Sequence, residues 1–293
     1  MCGRYASSRS RLELLEEFQV ERDRVSAPLE PDYNVAPTKP VYAVLARRSS
    51  GSGEPAGQQR AEQEPAEQEP GKADVARELR VVRWGLVPFW AKDLSIGSRL
   101  INARAETVDS KPAFRRAFAR RRCLLPADGF YEWQKLGDSP RPRKQPYYIH
   151  RADGGVLAFA GLYELWRDKS APDDDRQAWL WTATIITTQA KDDLGRIHDR
   201  MPMVIEPARW ADWLDPGDTS AEALHPLLTP AVSVHLTSHP VSTDVNAVRH
   251  NGPGLITPVD LEPEPAEASS DTPPRAGARE RGSAAHSARS TLF

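Results

Sequence analysis

Apolar positions along this chain come in short runs. Val41-Tyr42-Ala43-Val44-Leu45-Ala46 and Leu79-Arg80-Val81-Val82-Arg83-Trp84 have the length and the β-branched and aromatic content of strands. Cys123-Leu124-Leu125, Tyr147-Tyr148-Ile149, Val156 to Phe159, Trp179 to Thr187 and Val232 to Leu236 read the same way. Helical periodicity is confined to three places. Leu12, Leu15 and Phe18 recur on one face behind Ser8 or Ser10, either of which can cap the first turn. Lys111-Pro112 opens a second helix with Phe114 and Phe118 one turn apart, and Pro207 to Leu214 reads as a third. Short strands with few helices between them do not alternate as βαβ units, so the pattern predicts a mainly antiparallel α+β body.

The pattern stops in two places. Residues 49–78 lack aromatics and contain the tandem repeat Ala61-Glu62-Gln63-Glu64-Pro65, Ala66-Glu67-Gln68-Glu69-Pro70. A segment of that composition cannot offset its ordering entropy by burial, so we expect a disordered acidic insertion between two strands. Residues 261–293, rich in Pro, Glu, Ala and Ser, are expected to form a disordered tail. What remains is one domain over residues 2–260.

The chain has 293 residues, a net charge of −2, 39% hydrophobic and 27% charged residues, an ordinary composition for a soluble protein. It contains no apolar run of membrane-spanning length. Arg4 and Arg9 lead into Leu12-Glu13-Leu14-Leu15-Glu16-Glu17, which is no signal peptide, so a cytoplasmic monomer is the expectation. The two cysteines, Cys2 and Cys123, make no disulfide framework or zinc spacing, and neither metal nor cofactor is expected. Cys123 lies in an apolar run and reads as a buried strand residue. Without the two biased segments the body is more basic, with Arg99, Arg104, Arg115, Arg116, Arg120, Arg121 and Arg122 close together. Such a patch admits a nucleic-acid partner whatever the total charge.

The distinctive chemistry is at Met1-Cys2-Gly3-Arg4-Tyr5. With Met1 removed, Cys2 carries a thiol (pKa about 8.5) and an α-amine (pKa about 7.7–8.0) on adjacent carbons. An aldehyde condenses with the amine to a Schiff base, and the thiol then closes onto the same carbon to give a thiazolidine. Ring closure has the advantage of an intramolecular step.

Further segments set polar groups beside aromatics and rigid turns: Tyr33-Asn34-Val35-Ala36-Pro37-Thr38, Arg83-Trp84-Gly85-Leu86-Val87-Pro88-Phe89-Trp90, Asn102-Ala103-Arg104-Ala105-Glu106, Asp128-Gly129-Phe130-Tyr131-Glu132-Trp133 and Ile197-His198-Asp199-Arg200-Met201-Pro202. In this order they resemble the SRAP family, whose members shield abasic sites by crosslinking to them. The resemblance implies a β-barrel-like core with a few flanking helices and Cys2 at the floor of a basic cleft. It implies covalent capture of abasic sites in single-stranded DNA, removal of the protein's own Met1, and weak strand cleavage. Cys2 would be the nucleophile, Asn102 would hold the α-amine or the sugar, and Glu132 would move protons. His198 would protonate the ring oxygen during sugar opening. Arg4, Arg104 and Arg200 would hold phosphates, Asn34 and Pro37 would lie along the strand path, and Trp84, Leu86, Pro88 and Trp90 would form an apolar shelf for bases. Arg115, Arg116 and Arg120 would extend the groove. A cysteine peptidase acting on other proteins, or a non-catalytic single-strand binding module, are the alternatives.

Overall fold

Runs buried on both faces should read as unbroken apolar sequence, and the longest strands here do. In the computed structural model, which describes residues 2–48, 75–137, 142–190, 192–217, 219–231 and 233–261, the elements in chain order are as follows. The first half contains β1 (Tyr5–Ser7), α1 (Arg11–Glu17), β2 (Arg22–Asp23), β3 (Asp32–Val35), β4 (Pro40–Arg48), β5 (Val75–Trp84), β6 (Asn102–Arg104) and α2 (Arg115–Arg120). Then come β7 (Arg122–Ala127), β8 (Gly129–Leu136), β9 (Arg143–Arg151), β10 (Leu157–Arg167), β11 (Trp179–Gln189), β12 (Arg200–Pro202), α3 (Trp210–Leu214), α4 (Ala221–Leu224) and β13 (Leu236–Pro240).

Strands β11, β10, β7, β4 and β5 pair in turn, and β5 returns to β11 in parallel, so the sheet closes into a barrel. Every other pairing in that ring is antiparallel. Alternation along β4 shows why the run is apolar throughout. Val41, Ala43 and Leu45 join the interior cluster with Trp84, Leu125, Phe159 and Ile185, whereas Tyr42, Val44 and Ala46 face the cluster built with the helices. Leu14, Phe18, Phe118 and Trp213 bring α1, α2 and α3 onto that outer layer. A second, antiparallel sheet runs β13-β9-β8-β1-β3. From it Tyr5, Phe130 and Ile149 join the interior cluster, together with Cys2 just ahead of β1. The expected α+β, mainly antiparallel, barrel-like architecture is the one observed.

Several local expectations shift. Ser10 caps α1 through a capping box with Glu13, but Leu12 is 75% exposed and the buried face is carried by Leu14 and Phe18. Of the predicted face, Phe18 is buried and Leu15 packs against the core, while Leu14 takes the place expected for Leu12. Strand β5 starts at Val75, so the last residues of the expected insertion are ordered: Val75 to Glu78 pair with Arg48 to Leu45. Glu78 is buried and meets Arg22, Arg24 and Arg80, the reason a glutamate belongs in this strand. The strand expected over Val232 to Leu236 is displaced to Leu236–Pro240, and Val232 lies outside the described residues. The remainder of the insertion, 49–74, and residues 262–293 also lie outside them.

Candidate functional site

The C-terminal half of β11 gathers two of the singled-out segments. On one edge β6 pairs in parallel, Asn102 opposite Ile185 and Arg104 opposite Thr187. On the other edge β12 pairs antiparallel, Arg200 opposite Gln189. Asn102 and Arg200, distant in sequence, therefore flank one strand end. The loop into β6 depends on Gly85, whose φ of +120° and approach to Gly97 leave no room for a side chain: a Cβ would lie 2.5 Å from the Gly97 carbonyl oxygen.

Asn102 reaches the chain's start. Its Nδ2 donates to the carbonyl oxygen of Cys2 at 2.7 Å, and its Oδ1 is buried with no partner among the described residues. Cys2 itself is fully buried, its Sγ within 3.9 Å of the Arg4 carbonyl oxygen. Burial, followed by the nearby Glu132 carboxylate, pushes the Cys2 thiol well above its ordinary pKa. The resting sulfur is a thiol.

Glu132 comes from β8, only 3% exposed, and burial raises its pKa to about 7. The desolvation does not come from its sequence neighbours. By strand alternation Glu132 shares a face with Phe130, whereas Tyr131 and Trp133 pack in the cluster on the opposite face. His198, half-buried, precedes β12, and burial holds its pKa below the ordinary value. The Arg200 N–H donates to its Nδ1 at 3.0 Å, and Asp199 Oδ1 lies 2.9 Å from the same nitrogen. A neutral ring accepts from Arg200 and a protonated ring pairs with Asp199, so both protonation states are supported.

Arg4 is held from the opposite direction. Its Nη1 donates to Asn34 Oδ1 and to the Val245 carbonyl oxygen, each at 2.7 Å, and its guanidinium lies 6.0 Å from the Trp133 ring centroid. Trp133 is itself fixed by Nε1 donating to Asn246 Oδ1 at 2.7 Å. This half-buried indole is a candidate site residue that motif reading passed over. The sequence signal is the spacing: Trp133 stands two residues after Tyr131 and so shares its face of the strand.

Other expected contacts move. Trp84 and Leu86 are fully buried, with the Trp84 Nε1 donating to the Ile101 carbonyl, so neither offers a face to a base. Pro88 is buried too, while Phe89 and Trp90 next to it are 44% and 47% exposed. Asn34 is fully buried, its Nδ2 spent on the carbonyls of Val245, Ala247 and His250, and it acts by positioning Arg4. Pro37 remains half-buried. Arg104 is exposed, and beside Asn102 it lines a cavity of about 270 Å³ with Thr107, Lys111 and Phe114. Arg115, Arg116 and Arg120 are exposed, Arg116 lying over Phe89 at 4.2 Å. Arg121 instead pairs with Glu164, and buried Arg122 donates to the carbonyls of Phe118, Ala119 and Trp213. Cys123 is buried in the barrel interior, as expected. A larger cleft of about 480 Å³ between α1 and Trp210 contains none of these residues.

Residues 1–248 match the family described as SOS response associated peptidase. The chain is 35% identical to the abasic site processing protein YoaM of Bacillus subtilis over 87% of its length and 97% of the relative's. It is 32% identical to the abasic site processing protein YedK of Escherichia coli, over 88% of this chain and 100% of the relative. For the abasic site processing protein HMCES of Gallus gallus the identity is 30%, over 89% and 79%. A crystal structure of a Bacteroides thetaiotaomicron protein shares the fold, with a TM-score of 0.66 at 24% identity over 88% of this chain and all of the other. The barrel, the Cys2–Asn102 contact and these relatives converge, and the chain belongs to the SRAP family.

Proposed function

We propose that this protein captures abasic sites in single-stranded DNA through Cys2, once Met1 has been removed, and shields them as a thiazolidine. The observation that carries the reading is the Asn102 contact. One arm of the amide holds the Cys2 carbonyl, and the other leaves a buried acceptor with no partner among the described residues. A freed α-amine is a donor that would satisfy it. Relatives named abasic site processing proteins supply the lesion, whose ring-opened sugar carries an aldehyde.

The order of steps follows from the charge states. The thiol of Cys2 is suppressed by burial, so the amine attacks first. His198 delivers a proton to the ring oxygen as its bond to C1′ breaks and the C1′ hydroxyl gives its proton to solvent, leaving the aldehyde. The two supported protonation states of His198 suit that exchange. The amine adds to the aldehyde carbon and water leaves, giving the imine. Glu132, near half-protonation at neutral pH, takes a proton from the amine stage and returns one to the departing hydroxyl. The thiol then adds across the imine, its proton passing to nitrogen, and the ring closes. One water is lost overall. The imine also acidifies the neighbouring C2′ proton, which opens the β-elimination route to strand cleavage. Trp133 and the exposed pair Phe89 and Trp90 offer stacking faces, and Arg4, Arg104 and Arg200 offer cations for phosphates. Removal of Met1 by the protein itself belongs to the same reading.

Intact-mass spectrometry after incubation with an abasic single strand tests it. The expected product is the protein without Met1 plus the strand, less one water. Cys2→Ala should form no heat-stable adduct yet still bind the strand, and Cys123→Ser should crosslink normally. A stable adduct from Cys2→Ala overturns the mechanism. Repeated turnover of an unrelated peptide substrate would favour a general peptidase instead.

A further inference from the structure

Glu106 stands between two of the cations that the reading above assigns to DNA phosphates. Its Oε1 and Oε2 accept from Nη1 and Nη2 of Arg200 at 2.6 and 3.0 Å, a bidentate contact spanning β11 from one edge to the other. The hydrogen bonds from Arg200, then a bond from its own backbone N–H and the charges of Arg200 and Arg104, hold its carboxyl below the ordinary range. The two partners are placed unequally. The Arg200 side chain is 12% exposed and also donates to the Thr187 carbonyl oxygen at 2.6 Å, whereas Glu106 is 48% exposed. The guanidinium is built into the wall, and the carboxylate stands half-exposed at the surface.

A carboxylate docked edge-on to arginine presents the same pair of oxygens as a phosphodiester. We infer that Glu106 is an internal stand-in for backbone phosphate, occupying Arg200 in the free protein and displaced by an incoming strand. The inference rests on the DNA reading. Its consequence is selectivity. Any strand must break a charge-assisted pair before it gains its own, so undamaged DNA, held by backbone contacts alone, is bound weakly. An abasic strand compensates through covalent capture. Glu106 thus lowers non-covalent affinity, the opposite of what a residue that merely buttresses Arg200 would do.

The test measures binding of an undamaged single-stranded oligonucleotide by fluorescence anisotropy between about 50 and about 300 mM salt. Glu106→Gln and Glu106→Ala should each bind about 5-fold tighter than wild type at the low end. Their plots of log affinity against log salt should steepen by up to about 0.7, because in wild type the displaced Glu106 carboxylate takes up a cation and so offsets the release from one phosphate. In an Arg200→Gln background the same Glu106 changes should tighten binding by less than about 2-fold. Thermal melting checks that each variant is folded. Unchanged or weaker binding in the folded Glu106 variants, with wild type binding and crosslinking, overturns the inference. Wild type that neither binds nor crosslinks an abasic strand removes the DNA reading itself.

Discussion

Asn102 and Cys2, a hundred positions apart, meet through one hydrogen bond: Asn102 Nδ2 to the Cys2 carbonyl oxygen, 2.7 Å. Nothing local dictates it. The contact exists because β6 lies in parallel against β11 and the first residues run into the barrel's interior cluster. It fixes the Cys2 peptide carbonyl and leaves Asn102 Oδ1 buried with no partner among the described residues.

Asn102→Ala should therefore slow crosslinking by about 10²-fold, the cost of losing an aligned hydrogen bond and its acceptor at the reacting amine. Non-covalent binding of undamaged strand should change little. Single-turnover crosslinking with excess abasic strand, paired with anisotropy on intact strand, separates the two. An equal loss in both would make Asn102 a structural residue.

Glu132 gives a pH dependence of defined sign. Its pKa is raised from 4.5 to about 7 by burial, so between those values the folded state binds more protons than the unfolded state. Its contribution to stability is thus lost as pH rises through that window, by on the order of 3 kcal/mol in total. Glu132→Gln removes the effect. The melting temperature of the variant should gain on wild type steadily from pH 5 to about pH 8. Parallel curves would mean that the carboxyl is not desolvated.

The two tryptophans of the motifs should fail differently. Trp84 is fully buried and packs edge-on against Tyr5 with centroids 5.2 Å apart, so Trp84→Ala should cost about 3–5 kcal/mol of stability. Trp133 is half-buried, packing on the smaller cluster beside Arg4, so Trp133→Ala should cost only about 1–2 kcal/mol of stability. It should weaken single-strand binding by about 1–3 kcal/mol, the worth of one stacked base. Denaturation and anisotropy on both variants decide it, and the reverse assignment would restore Trp84 as the stacking residue.

The sequence by itself determined the fold class, because short apolar runs without βαβ alternation allow few other bodies. It also singled out the candidate reacting group of the proposed capture, since a cysteine at position 2 is a feature of order in the chain. The capping box at Ser10 and Glu13 is equally local. Tertiary structure decided the rest, wherever meaning depends on which face a residue takes. Trp84 and Trp133 are both aromatic residues in motif runs, but strand pairing sends one into the barrel and leaves the other at the surface. Asn34 and Arg122 look like polar residues ready for a ligand, and both are consumed by backbone carbonyls brought in from far along the chain. Glu132 was legible as an acid–base group, yet its desolvation comes from the face it shares with Phe130, which only the pleat of β8 and the packing of the two sheets define. The pairing of Glu106 with Arg200 joins residues 94 positions apart, across a strand to which neither belongs.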